Sequence, residues 1–210
     1  MASAREVNLG LCPEPEVAFP DSEFRARHQR IRERMTAEGL DVIYLTAPES
    51  RYYVDGYNSD WYQAQSPAAW HASSGVAIHV DYDKVITFER EVNVVLVNMT
   101  TIGDDTRILS GEVAMADFVA EQLAEEGWLG GSVGIERFSY RPNPAVSEML
   151  SHALEAKGCN VKDCSHILRE VRGIKSPLEL SYIRTAAAIG DAGMRAAVDT
   201  VGAGVTELEV

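Results

Sequence analysis

The densest chemistry in this sequence lies between Tyr52 and His71, Y-Y-V-D-G-Y-N-S-D-W-Y-Q-A-Q-S-P-A-A-W-H. Four of the eight tyrosines and two of the three tryptophans fall there, amid polar and acidic side chains. An aromatic ring with a polar tip offers a large contact area and loses little rotamer freedom, which suits a ligand or partner surface. Tyr57, Asp60, Trp61, Tyr62, Trp70 and His71 are therefore the candidate substrate-binding residues. The same aromatics would also serve to anchor a long loop onto its own domain, or to bury a contact between two copies.

The remaining chemistry-bearing residues do not assemble into a motif. His28, His71, His79, His152 and His166 are scattered over different segments, with no H-E-x-x-H and no C-x-x-C. No metal site and no catalytic set is expected from these residues. Ser73-Ser74-Gly75 and the glycine-rich run G-W-L-G-G-S-V-G at Gly127–Gly134 lack the phosphate-loop pattern, and the second precedes a strand rather than joining strand to helix. Glu136-Arg137, at the end of a short strand, reads either as an ion pair across a domain interface or as an ordinary strand end.

The elements that must position the aromatic stretch follow from periodicity. Asp21 or Ser22 caps an expected helix from Glu23 to Glu38, with Phe24, His28, Ile31 and Met35 on its apolar edge and five arginines on its wet face. Asp41–Thr46 is a buried strand, Pro48–Arg51 a turn or a helical turn, and Tyr52–Val54 another short strand ended by Gly56. Gly75–Val80 and Val85–Arg90 form a hairpin through D-Y-D-K. Beyond it come a short helix at Glu91–Val97, a strand at Thr106–Leu109, a helix at Glu112–Glu126 and a strand at Ser132–Glu136. A helix opening at Asn143-Pro144, a strand at Asn160–Asp163 and a short helix at His166–Glu170 complete the pattern. Strands alternating with helices, interrupted by one hairpin, predict an α/β fold: a mixed sheet with helices on both faces.

After Val171 the character changes. Ser176, Pro177 and Glu179 make a capping box, and Leu180, Ile183, Ala187, Ile189, Met194 and Val198 recur at helical spacing. Gly202 and Gly204 stop that helix, and Thr206 with Glu209 marks the start of another. The expected organisation is an arm at 1–20, an α/β domain at 21–170, and a linker plus the first helix of a further domain at 171–210.

Bulk properties narrow the function classes. The 210 residues carry 19 basic and 32 acidic side chains, a net charge of −13, which disfavours nucleic acid and anionic membranes as partners. No run approaches the roughly 18 apolar residues of a membrane span, and Met1–Pro20 has no apolar core of the signal-peptide kind. Cys12, Cys159 and Cys164 form neither an even set nor a metal spacing, and read as thiols in a reducing compartment. A cytoplasmic location is expected.

The segments R-G-I-K-S-P-L-E-L-S-Y-I-R-T-A-A-A-I-G-D-A-G and G-A-G-V-T-E-L-E-V, within Val171–Val210, resemble the opening of the catalytic domain in the creatinase, Xaa-Pro aminopeptidase and prolidase family. F-R-A-R-H-Q-R-I-R-E-R-M-T-A-E-G-L-D-V-I-Y-L-T at Phe24–Thr46 and R-Y-Y-V-D-G-Y at Arg51–Tyr57 resemble that family's N-terminal domain. The resemblance implies a "pita-bread" metallohydrolase fold after a creatinase-like N-terminal domain. It implies a metal centre (Mn, Zn, Co or Fe) of two Asp, one His and two Glu, all beyond Val210, so this chain would be a piece of a longer protein and inactive alone. It further implies a homodimer that cleaves a C–N bond in a peptide or small molecule. The aromatic stretch would then form a lid over an active site in the same or the neighbouring subunit. The alternative is a binding or scaffold protein that keeps the fold without metal or catalysis.

Overall fold

The computed structural model describes residues 16–58, 73–139 and 143–210. Helix α1 (Asp21–Glu38) leads into β1 (Val42–Leu45), and Gly39 ends the helix in the left-handed conformation. Helix α2 (Pro48–Asp55) follows, then β2 (Gly75–His79) and β3 (Val85–Arg90). A 3-10 turn (Glu91–Asn93) and α3 (Val94–Thr100) lead to β4 (Asp105–Leu109), α4 (Met115–Glu125) and β5 (Ser132–Ile135). The chain then runs through α5 (Pro144–Glu155), β6 (Asn160–Asp163), α6 (Ser165–Gly173) and α7 (Pro177–Thr200).

The strands form one mixed sheet in the order β4-β3-β2-β1-β5-β6. The hairpin pairs are antiparallel, with Val42 opposite His79 and Gly75 opposite Phe88, while β1–β5, β5–β6 and β3–β4 are parallel. Period-2 alternation splits the core between the two faces. Val42, Tyr44, Ala77, Ile86 and Phe88 pack with α4 and α5. Ile43, Leu45, Val76, Ile78 and Val85 pack with α1, α2 and α6. The fold is thus a mixed α/β sheet with helices on both faces.

Two local expectations give way to tertiary contacts. Tyr52–Val54 belong to α2 rather than to a strand. Pro48 sets the first turn, and Gly56 (φ 86°) closes the last in a conformation open to glycine. A Cβ at Gly56 would also sit 2.7 Å from the Thr100 carbonyl oxygen. With both ends fixed, the β-preferring Y-Y-V is held as helix.

The arginines of α1 do not form a solvated face. Arg27 is 1% exposed, its guanidinium 4.1 Å from the Phe19 ring and 4.4 Å from the Tyr53 ring, and it donates to the Tyr53 carbonyl at 3.2 Å. Arg30 donates to Tyr53 Oη, Arg32 to the His79 carbonyl, and Arg25 grips Asp104 in bidentate fashion. Cation–π stacking and snorkelling let these long side chains bind α1 to its neighbours.

The contacts divide the chain into one unit ending at Val171 and another spanning Arg172–Val210. In the second, the capping box forms as its spacing predicts: Glu179 N–H donates to Ser176 Oγ at 3.0 Å, and Ser176 N–H to Glu179 Oε2 at 2.8 Å. At Thr206–Glu209 the structure has a turn rather than a helix, with Thr206 N–H and Oγ1 both donating to the Glu209 carboxylate. No described helix is long and apolar enough to cross a membrane.

Candidate functional site

Strands β1, β5 and β3 all point their carboxyl ends to one edge of the sheet, where β2 begins. In open α/β sheets that edge is where ligands bind. Here it gathers a set of buried polar groups. Along β3, Thr87 and Glu89 alternate with Ile86 and Phe88 and so face α2, which presents Arg51 and Asp55 four residues apart on one side.

Arg51 Nη1 lies 3.0 Å from Glu89 Oε2, and both side chains are 3% exposed. Glu89 Oε1 accepts from Ser74 Oγ at 2.6 Å and from the Arg90 N–H at 2.9 Å. The Arg51 guanidinium stacks 3.8 Å from the centre of the Tyr57 ring. Asp55 accepts from the Tyr57 N–H at 2.9 Å and from Thr87 Oγ1 at 2.6 Å. Burial disfavours charge on both members of the Arg51–Glu89 pair. Their mutual attraction overrides it, so Glu89 titrates below the usual carboxylate range and Arg51 above its ordinary value. Burial pushes the Asp55 carboxyl upward, against the pull of Arg51 and Thr87. Among the described residues, Nε and Nη2 of Arg51 have no hydrogen-bond partner.

A second buried carboxylate completes this edge. Glu136, just after β5, accepts from the Thr46 and Ala47 N–H groups at 2.9 Å each and from Ser50 Oγ at 2.5 Å. A negative group at the amino end of α2 meets its unpaired N–H groups and the positive end of its dipole. Glu136 is therefore a cap for the start of α2, supplied from the strand beside β1. Burial raises its pKa, opposed by the bonds from Ser50, Ala47 and Thr46.

Of the residues singled out from sequence, Tyr57 is buried beneath Arg51 in this cluster. Asp60, Trp61, Tyr62, Trp70 and His71 lie outside the described residues. Sequence reading singled out Glu136 but missed Arg51, Asp55 and Glu89 as site residues. A signal for them existed: Glu89 stands at an inward position of an apolar strand, and Arg51 precedes Asp55 at i,i+4. Gly130-Gly131-Ser132-Val133-Gly134 also spells the nucleophile pattern G-x-S-x-G. Ser132, however, opens β5 with its N–H bonded to Asp41 Oδ2, so it does not sit on a strand-to-helix elbow. Among the described residues, no three His, Cys, Asp or Glu side chains could hold a metal ion.

Residues 27–174 match the model of the creatinase/prolidase N-terminal domain. The chain belongs to this family. Among relatives of this creatinase/prolidase N-terminal domain is an uncharacterized hydrolase/peptidase of Sinorhizobium fredii, 28% identical over 91% of this chain and 48% of its own length. The ectoine hydrolase of Halomonas elongata is 25% identical over 81% of this chain and 42% of its own length. The Xaa-Pro dipeptidase of Bacillus anthracis shares the fold, with a TM-score of 0.67 and 21% identity over 89% of this chain and 46% of that one. The chain spans about half the length of the curated relatives it matches.

Proposed function

We propose that this chain is the N-terminal, pocket-shaping and dimerising part of a metal-dependent hydrolase that cleaves a C–N bond in a dipeptide or small metabolite. The observation that carries the reading is the family match over residues 27–174, joined to relatives that bear hydrolase and peptidase names and extend about as far again. In this reading α7 is the first helix of the catalytic domain, which supplies the metal (Mn, Zn, Co or Fe). A metal there would activate water and polarise the scissile carbonyl. Residues of this chain would line the substrate side of the pocket. Tyr57, Asp60, Trp61, Tyr62, Trp70 and His71 are assigned to that lining, with Tyr57 as its buried root.

The test uses the intact protein with Ala-Pro as probe. Proline release that depends on added Mn(II), Zn(II), Co(II) or Fe(II), and stops with a chelator, is expected; the 210-residue chain alone should release none. A full-length protein that binds no metal and turns over neither Ala-Pro nor a cyclic amidine would overturn the reading. Sedimentation of the same sample at the mass of two chains is the expected oligomeric result.

A further inference from the structure

We propose, resting on the dimerising reading above, that two copies of this chain meet through the outward face of the 3-10 turn and α3. That face carries Val92, Val95 and Met99, and it packs on the same face of the second copy about a two-fold axis.

Helix α3 joins β3 to the parallel β4 and packs on β3. A crossover helix in that position needs one apolar stripe for the sheet and a polar one for water. This segment has two apolar stripes. Val97 and Thr101, four positions apart, are buried. Opposite them Val92, Val95 and Met99 recur at i, i+3 and i+7, with Val92 79% and Val95 45% exposed and Met99 half-buried. Single exposed apolar side chains are ordinary on a protein surface, but a stripe at helical spacing is the pattern of a packed face.

Charge selects what packs there. From Val92 to Gly103 no residue is Asp, Glu, Lys or Arg, in a chain of net charge −13. Two such chains repel over most of their surfaces, so a face without charge is where they approach. A two-fold contact also demands a surface that complements itself, which an apolar stripe laid antiparallel on its copy does. A stable contact takes roughly 800 Å² from each partner, more than one short stripe supplies. The same side offers the remainder: β4 is the last strand of the sheet there, and the exposed Val113 follows its carboxyl end.

The competing cover is the continuation of the same polypeptide. The first unit ends at Val171 on α6, which directly follows β6. Strand β6 is the edge opposite β4, and α6 is tied to α1 through the Arg34–Glu170 and His166–Glu38 pairs. The chain therefore leaves the sheet at the far end from α3, which favours a second copy as the occupant.

Sedimentation velocity of the intact protein and of its Val92→Glu, Val95→Glu double variant tests this. The wild type should sediment at the mass of two chains. The double variant should keep its melting temperature, since both side chains are exposed, while its dimer dissociation constant rises about tenfold or more through like charges facing across the axis. A second variant stays informative should the first misfold. In a Cys12→Ser background, Val95→Cys should be joined to its copy by a short bismaleimide, whereas Tyr82→Cys, on the turn between β2 and β3, should not. A folded double variant that remains a dimer, or a Val95→Cys protein that never cross-links, overturns this surface and leaves the dimerising reading standing. A Val95→Cys thiol that stays closed to maleimide after the dimer has dissociated assigns the cover to the chain's own continuation and overturns it too. A wild type that is monomeric at every concentration ends the dimerising reading, and the surface falls with it.

Discussion

The Glu136 carboxylate caps the amino end of α2, accepting the Ala47 N–H at 2.9 Å although 89 positions separate the two residues. Three donors converge on it, counting the Thr46 N–H and the Ser50 hydroxyl. Because α2 carries Arg51 and Asp55 and ends two residues before Tyr57, this single carboxylate orients the helix that builds the candidate site.

Glu136→Ala strands three buried donors and should cost about 3 kcal/mol, at about 1–3 kcal/mol for each donor left truly unpaired after relaxation. The melting temperature should fall by roughly 10 °C at this chain length. Glu136→Gln keeps an oxygen for the two amides and an N–H for Ser50 Oγ, so its cost should stay below about 1 kcal/mol. The sign of the pH effect follows from its raised pKa. A carboxyl raised on folding binds more protons in the native state, so it favours folding as pH drops from neutral toward the unfolded carboxylate range. Denaturant melts at pH 5 and pH 7 should narrow the gap between Glu136→Gln and wild type at the higher pH. An alanine variant as stable as wild type would remove Glu136 from this role.

His28 should make the fold acid-labile. It lies fully buried between α1 and α2, with Nε2 2.6 Å from the Val54 carbonyl oxygen, which requires Nε2 to carry the proton. Burial, aided by Arg32 and Arg25 and opposed by the Val54 bond and Asp104, lowers its pKa from 6.5 to about 4. A base depressed on folding contributes stability that is complete above the unfolded pKa and is lost as pH falls toward the folded one. The contribution is on the order of 3 kcal/mol. Urea midpoints from pH 7 to 4 should fall more steeply for wild type than for His28→Gln, which keeps a donor for Val54. Parallel slopes for the two proteins would show that His28 does not titrate in this window.

Gly75 opens β2 directly after Ser74. A Cβ there would stand 2.5 Å from the Leu45 carbonyl oxygen and 2.6 Å from Tyr44 Cζ, so Tyr44 must move and its bond to Ser73 with it. Gly75→Ala should cost about 1–3 kcal/mol through overpacking. The fluorescence and amide exchange of the variant should change near Ser73 while β5 and β6 keep their protection. An alanine variant with native stability would mean the strand accommodates the methyl group without displacing Tyr44.

Removing residues 176–210 should leave a protein that still unfolds in one cooperative transition. The contacts that build the sheet and its helices close within one unit that ends at Val171. Calorimetry of the shortened chain would contradict this boundary if the transition broadened or vanished.

The sequence by itself determined the elements whose signals are local. Alternation in V-I-T-F-E and G-V-A-I-H placed the hairpin, Asn143 and Ser176 capped α5 and α7, and glycine stops closed the helices, because each rests on neighbours within a few residues. The family was legible for the same reason, in short runs such as R-Y-Y-V-D-G-Y. Only the tertiary structure decided that this run is helical, that Arg27 is buried, and that Arg51 meets Glu89 across 38 positions and Ser50 meets Glu136 across 86. A buried charge is tolerated where a partner is brought to it, and that partner is chosen by the order of strands in the sheet. Propensity carries no record of that order, so the residues that shape the candidate site stayed hidden among ordinary strand ends and helix faces.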